Sequence, residues 1–245
     1  MPIPFKNLFG IEQHDVKPVC IITPFLTRTL RQGLHLSPHH SATPFRTYQH
    51  PDFTVIETKA GSLFNGDTVL ALKNSPCNGI IFIGTCGSLD HERFPIGTIV
   101  TPEKVFAMES FTSMLLDKPD LIPVPVPVTP IIPAKKGQCV SVGSLILEEK
   151  YMKLLKTAKT DIVDMECASV MAASNYNKFK TVPLLHVADL VSASSPFVHD
   201  NIQKAHINHA QNNIVKIINQ LNGHSFFNKT SLPVKKKANH GPKQK

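Results

Sequence analysis

No stretch of about eighteen consecutive apolar residues occurs in this sequence, so nothing in it reads as a helix that would cross a bilayer. The first fifteen residues (MPIPFKNLFGIEQHD) lack a basic segment followed by an apolar one, which is what a secretory signal would need. A cytoplasmic protein is expected. Cysteine is scarce: Cys20, Cys77, Cys86, Cys139 and Cys167 are odd in number, fall inside apolar runs and never form a CxxC pair. That pattern suits small core residues and supplies neither a disulfide framework nor a zinc site, so no metal is expected. Acid is absent from the last seventeen residues, where Lys229, Lys235, Lys236, Lys237, Lys243 and Lys245 account for six of the chain's eight net positive charges. The body is therefore left at only +2, and it shows neither a basic stripe nor a base-stacking motif, which excludes a nucleic-acid binder.

The chain's 245 residues can bury one sizeable core. A single domain over residues 1–228 is expected, followed by a basic disordered tail over 229–245 that has almost nothing to bury. Residues 18–25 (PVCIITPF) and 79–84 (GIIFIG) are short, nearly continuous apolar runs, as strands covered on both faces would be. Between them lie a short helix candidate, LTRTLRQGL, and two strands, FRTYQ and FTVIETKA, joined at HPD. A helix pattern, GDTVLALKN, precedes the second apolar run. Strand, helix and strand at this spacing predict an α/β fold of three layers, with a central mixed, mostly parallel sheet flanked by helices.

The middle of the chain reads differently. FPIGTIVTPEKVFAME suggests two strands around a proline turn, and PDLIPVPVPVTPIIP suggests an extended edge excursion, because proline cannot donate to a ladder. Then follow a strand in QCVSVGSLI, a helix over LEEKYMKLLKTA, a buried strand in TVPLLHVAD and a long final helix. In that helix Ile207, Ala210, Ile214, Ile217, Ile218 and Leu221 form one apolar stripe, with His206 and His209 on its solvated flank.

Three segments end or follow buried strands with residues that packing does not demand, and ligands of open α/β sheets bind beyond the carboxyl ends of strands. In GTCGSL, Gly84 and Gly87 allow close backbone approach, and Thr85 offers a hydroxyl. VDMECASVMAAS sets Asp164 and Glu166 on either side of Met165, ahead of a run of small apolar residues. The third segment, PLLHVAD, closes on Asp189.

GTCGSL, IGTIVTP, VDMECASVMAAS and HVADLVSAS, in that order, resemble the superfamily of purine nucleoside phosphorylase, uridine phosphorylase and methylthioadenosine/S-adenosylhomocysteine nucleosidase. The resemblance spans about residues 18–220 and implies a phosphorylase-type fold, a nucleoside substrate and a homo-oligomer. It also implies no cofactor, with inorganic phosphate as co-substrate in the phosphorylase branch. Met165 would then pack on the ribose, and Glu166 would accept hydrogen bonds from its hydroxyls. Asp164 would cap the helix that follows, and Asp189 would act as general acid toward the departing base. Gly84, Thr85, Gly87 and Ile146 would contact the substrate, and Arg28, Thr85 and Arg46, the last reaching in from a neighbouring subunit, would form the phosphate site.

The sequence departs from the family pattern at several positions. Phe82 stands where phosphorylases carry an arginine, and Thr23 where they carry the glycine of the first loop. Arg28 lies one residue from the expected arginine. The hydrolases' glutamate is missing from Thr23–Arg28, Ile146 replaces their base-stacking aromatic, and Ala188 replaces a serine before Asp189. Transfer to phosphate, transfer to water, and a binding-only descendant that has lost turnover all remain consistent with this pattern.

Overall fold

Val19 and Ile21 of β1 (Val19–Thr23) face one apolar cluster and Cys20 and Ile22 face another, so this strand is buried on both sides, as its unbroken apolar run requires. The computed structural model describes residues 4–222, except 38–39, 42–43, 111–113, 115, 118, 128–129 and 194–198, together with Phe227. The expected tail over 229–245 lies outside the described residues. Two helices precede the paired strands that complete one end of the sheet: α1 (Phe5–Phe9) and α2 (Arg28–Gly33). Those strands are β2 (His40–Ser41), β3 (Arg46–Gln49) and β4 (Phe53–Glu57), with β3 and β4 antiparallel across the HPD turn.

α3 (Ser62–Ala71) leads into β5 (Gly79–Ser88), which lies parallel to β1. The helix begins four residues before the Gly66 at which the sequence pattern placed it. β6 (Ile99–Met108) is one continuous strand, not two strands around a proline turn. Pro102 sits beside a register shift against the neighbouring strand, so the lost donor is absorbed by a bulge and the chain runs on. β7 (Ile122–Val124) is the only strand in the proline-rich excursion among the described residues, and it pairs antiparallel with β6.

β8 (Lys135–Val142) is followed by a helical stretch that the sequence pattern read as one helix. It is broken into α4 (Leu145–Glu148), a 3-10 turn and α5 (Met152–Thr157). β9 (Ile162–Asp164), α6 (Cys167–Asn177), β10 (Lys180–Leu190) and α7 (Asn201–Asn222) complete the order. Pro183 lies inside β10 at a position paired with β5 alone, where the missing N–H interrupts no second ladder.

The sheet is mixed, and its long pairings (β1 with β4, β5 with β10, β6 with β8) are parallel, whereas the antiparallel ones are short. Five strands close on themselves. β5 pairs with β10, β10 with β6, β6 with β8, β8 with β9, and β9 returns to β5. α3 and α6 cover the face that includes Ile80 and Phe82, while α2 and α7 cover the face with Ile81 and Ile83. The expected stripe of α7 is buried from Ala210 to Leu221, and His206 and His209 are exposed. All five cysteines are buried and unbridged.

Candidate active site

Gly87 is the hinge of the site, because it is the register partner of Val163 in β9 and of Asp189 in β10. The GTCGSL segment is thereby flanked on one side by the entry to DMEC and on the other by the end of the VAD strand. A Cβ at Gly87 would stand 2.8 Å from Val191, 2.9 Å from Asp189 Oδ2 and 3.4 Å from Val163, so three strand ends meet where only glycine fits. A register shift between Val187 and Asp189 leaves Ala188 as a bulge, and His199 Nε2 bonds the Ala188 carbonyl at 2.8 Å.

A cavity of about 650 Å³ opens beyond these strand ends. Its wall includes Thr85 and Gly87 from β5, Met165 and Glu166 between β9 and α6, and Asp189 from β10. Arg28 lines it from α2. The remaining expected site residues fall elsewhere. Gly84 lies below the cavity, where a Cβ would meet Leu185 at 2.8 Å, so its place is explained by strand packing. Ile146 is 89% exposed and its neighbour Leu145 lines the cavity instead. Arg46 lies outside the lining, on β3, 3.6 Å from Glu57. Phe82, which stands where phosphorylases carry an arginine, is wholly buried in the sheet.

The two acids of DMEC have different surroundings. Asp164 Oδ2 accepts the N–H groups of Glu166 (3.1 Å) and Cys167 (2.6 Å), capping the start of α6. Its Oδ1 accepts from Ser141 at 2.5 Å and Cys139 at 3.4 Å. Asp164 also forms, with Cys139 and Cys167, the cluster among the described residues whose spacing could suit a metal. Its oxygens are already occupied by four donors. Glu166 is buried, and its Oε1 accepts the Gly61 amide at 2.6 Å. Burial first, and then the charge of Asp164, push its carboxyl up to about 8. Burial also raises Asp189, against a smaller opposing effect of His199.

Several neighbours were not legible in the sequence. Glu109 accepts from Ser62 at 2.6 Å and from the Ser169 amide at 3.1 Å, and burial raises its carboxyl as well. His186 lines the cavity with Gln211, whose Nε2 lies 3.5 Å from His186 Nε2 and whose Oε1 accepts from Thr27 at 2.8 Å. Burial holds the His186 imidazole down at about 4, so it is neutral at physiological pH. Periodicity could have flagged only Gln211, the one polar residue within the buried face of α7.

These features define an α/β protein with an acid-bearing cavity at the carboxyl ends of its strands. The model of the Phosphorylase superfamily matches residues 66–221, well over half of the chain, and the protein belongs to that superfamily. Among solved structures, the AMP nucleosidase of Bacteroides thetaiotaomicron VPI-5482 is similar at 18% identity and a TM-score of 0.62, over 89% of this chain and 95% of that one. The Campylobacter jejuni 5′-methylthioadenosine/S-adenosyl homocysteine nucleosidase aligns at 16% identity and a TM-score of 0.64, over 84% and 99% of the two chains. The Arabidopsis thaliana 5′-methylthioadenosine nucleosidase aligns at 19% identity and the same TM-score, over 86% and 98%. At these identities the likeness is one of fold. No curated protein sequence matches the chain.

Proposed function

We propose that the protein cleaves the N-glycosidic bond of a nucleoside-like substrate. One observation carries this reading: Glu166 and Asp189, both with carboxyls raised by burial, line one cavity on the two flanks of Gly87. As the bond between the anomeric carbon and the base nitrogen breaks, its electron pair passes to the base. Asp189, whose carboxyl burial raises, supplies the proton that neutralises the base. Glu166 holds the ribose hydroxyls, with Met165 against the apolar face of the sugar, while positive charge develops at the anomeric carbon. The oxygen of water or hydrogen phosphate forms the new bond to that carbon, and the proton that the acceptor loses restores the one Asp189 has given to the base. The three similar structures are nucleosidases, which supports the same reading.

The test is release of free base from a nucleoside panel by the purified protein, with and without inorganic phosphate. Ribose as the second product identifies water as acceptor, and ribose 1-phosphate identifies phosphate. Thermal stabilisation by nucleosides with no base released under either condition would replace this reading with a binding protein.

A further inference from the structure

Two cations line the cavity wall: Arg28, the first residue of α2, which the family pattern offers to free phosphate, and Lys204, in the first turn of α7, which has no task in the chemistry above. The two helices are tied together there. Thr27 Oγ1 donates to Gln211 Oε1 at 2.8 Å, and Thr29 Oγ1 donates to Asn208 Oδ1 at 3.2 Å. Arg28 is therefore held between two threonines that are both fastened to α7. Lys204 precedes Asn208 by one helical turn, and residues 204, 207, 208 and 211 of that helix all line the cavity, so they form one face. Both cations thus line the α2–α7 wall.

Neither side chain makes an ion pair or hydrogen bond among the described residues. The acids of the cavity leave them uncompensated: Asp164 is consumed by capping, Glu166 is tied to Gly61, and Asp189 faces His199. Arg28 and Lys204 are both exposed, and two cations without an acid partner among the described residues give this wall of a concave site a positive potential that suits a multiply charged anion. Building on the proposed glycosidic cleavage, we infer that the Arg28–Lys204 wall receives a phosphate group carried by the substrate, which makes the substrate class a nucleoside 5′-monophosphate. Its glycosidic bond would lie between Glu166 and Asp189, with its phosphate on the α2–α7 wall.

The experiment measures base release from adenosine, inosine and uridine and from their 5′-monophosphates, each with and without inorganic phosphate, in the wild type, Arg28→Ala and Lys204→Ala. The expected result is turnover of a monophosphate without added phosphate, giving ribose 5-phosphate. Its kcat/KM should fall about 10- to 100-fold in either variant, mostly through KM, as loss of a charge-assisted contact implies. Nucleoside turnover that requires inorganic phosphate, with the phosphate KM raised in the variants, would make free phosphate the occupant and overturn the substrate class. Equal turnover of nucleosides and monophosphates, insensitive to both substitutions, would overturn the inference and leave glycosidic cleavage standing. If no compound releases base, glycosidic cleavage itself fails. Calorimetric binding of the same monophosphates then decides: about 10-fold weaker binding in the variants upholds the phosphate wall, and unchanged binding removes it.

Discussion

Asp189 Oδ2 lies 2.9 Å from where a Cβ on Gly87 would stand, so the position of the proposed acid and the absence of a side chain at Gly87 are one constraint. Gly87→Ala should therefore act twice. It should cost about 1–3 kcal/mol of stability through crowding against Val191, and it should lower base release by displacing the Asp189 carboxyl. Urea denaturation and turnover check the two effects separately. A variant of unchanged stability and unchanged activity would show that the strand ends are looser than this packing implies.

The pH dependence of stability should carry the signature of Glu166. The folded protein keeps a proton on this carboxyl up to about 8, whereas the unfolded chain releases it in the ordinary carboxylate range. The unfolded state therefore binds fewer protons between those limits, and stability falls as pH rises through that window. Glu166→Gln, which retains an acceptor for the Gly61 amide, should flatten this decline and melt above the wild type at pH 8. Melting curves from pH 5 to pH 8 test it, and an unchanged slope in Glu166→Gln would count against a buried, proton-bearing Glu166.

Asp164 should behave as a structural acid. Asp164→Ala removes the acceptor for two N–H groups at the head of α6 and for Ser141, and should cost about 1–3 kcal/mol. Asp164→Asn keeps an acceptor and should cost less. Chemical denaturation of the pair gives the order, and equal losses would mean that the negative charge, not the acceptor geometry, is what matters.

His186 should remain uncharged throughout the working range. With its imidazole held at about 4 by burial, its ring resonances should not shift between pH 5.5 and pH 8 in NMR spectra. Titration of His186 within that range would place a water-accessible, chargeable ring in the cavity wall.

The parts of this architecture that could be read from sequence are the local ones. β1, β5 and β10 stand out as apolar runs because strands buried on both faces need no polar alternation. Asp164 could be assigned to capping because the small-residue helix after it needs an acceptor at its start. The closure of β9 back onto β5 could not, because it depends on pairing between residues far apart in the chain, such as Gly87 with Val163. The link from Thr27 to Gln211 spans 184 residues, and neither residue type signals it. Of the phosphate site expected from the family pattern, Arg28 is on the cavity wall, and Arg46 sits on β3 near Glu57, outside this chain's own lining, as a residue expected to serve a neighbouring subunit would be. Helix breaks were hidden for a different reason, since LEEKYMKLLKTA has helical periodicity throughout and yet folds as two short helices around a 3-10 turn.

The central claim is that Asp189 protonates a departing base while Glu166 holds its sugar, and single-turnover base release tests it most directly. Wild type, Asp189→Asn and Glu166→Gln would be compared on whichever nucleoside or nucleotide the wild type turns over fastest. The expected result is a fall of about two to four orders of magnitude in the rate for Asp189→Asn with ligand affinity retained, and a joint loss of affinity and rate for Glu166→Gln. Base release by Asp189→Asn at the wild-type rate, or no release by the wild type from any compound, would contradict it.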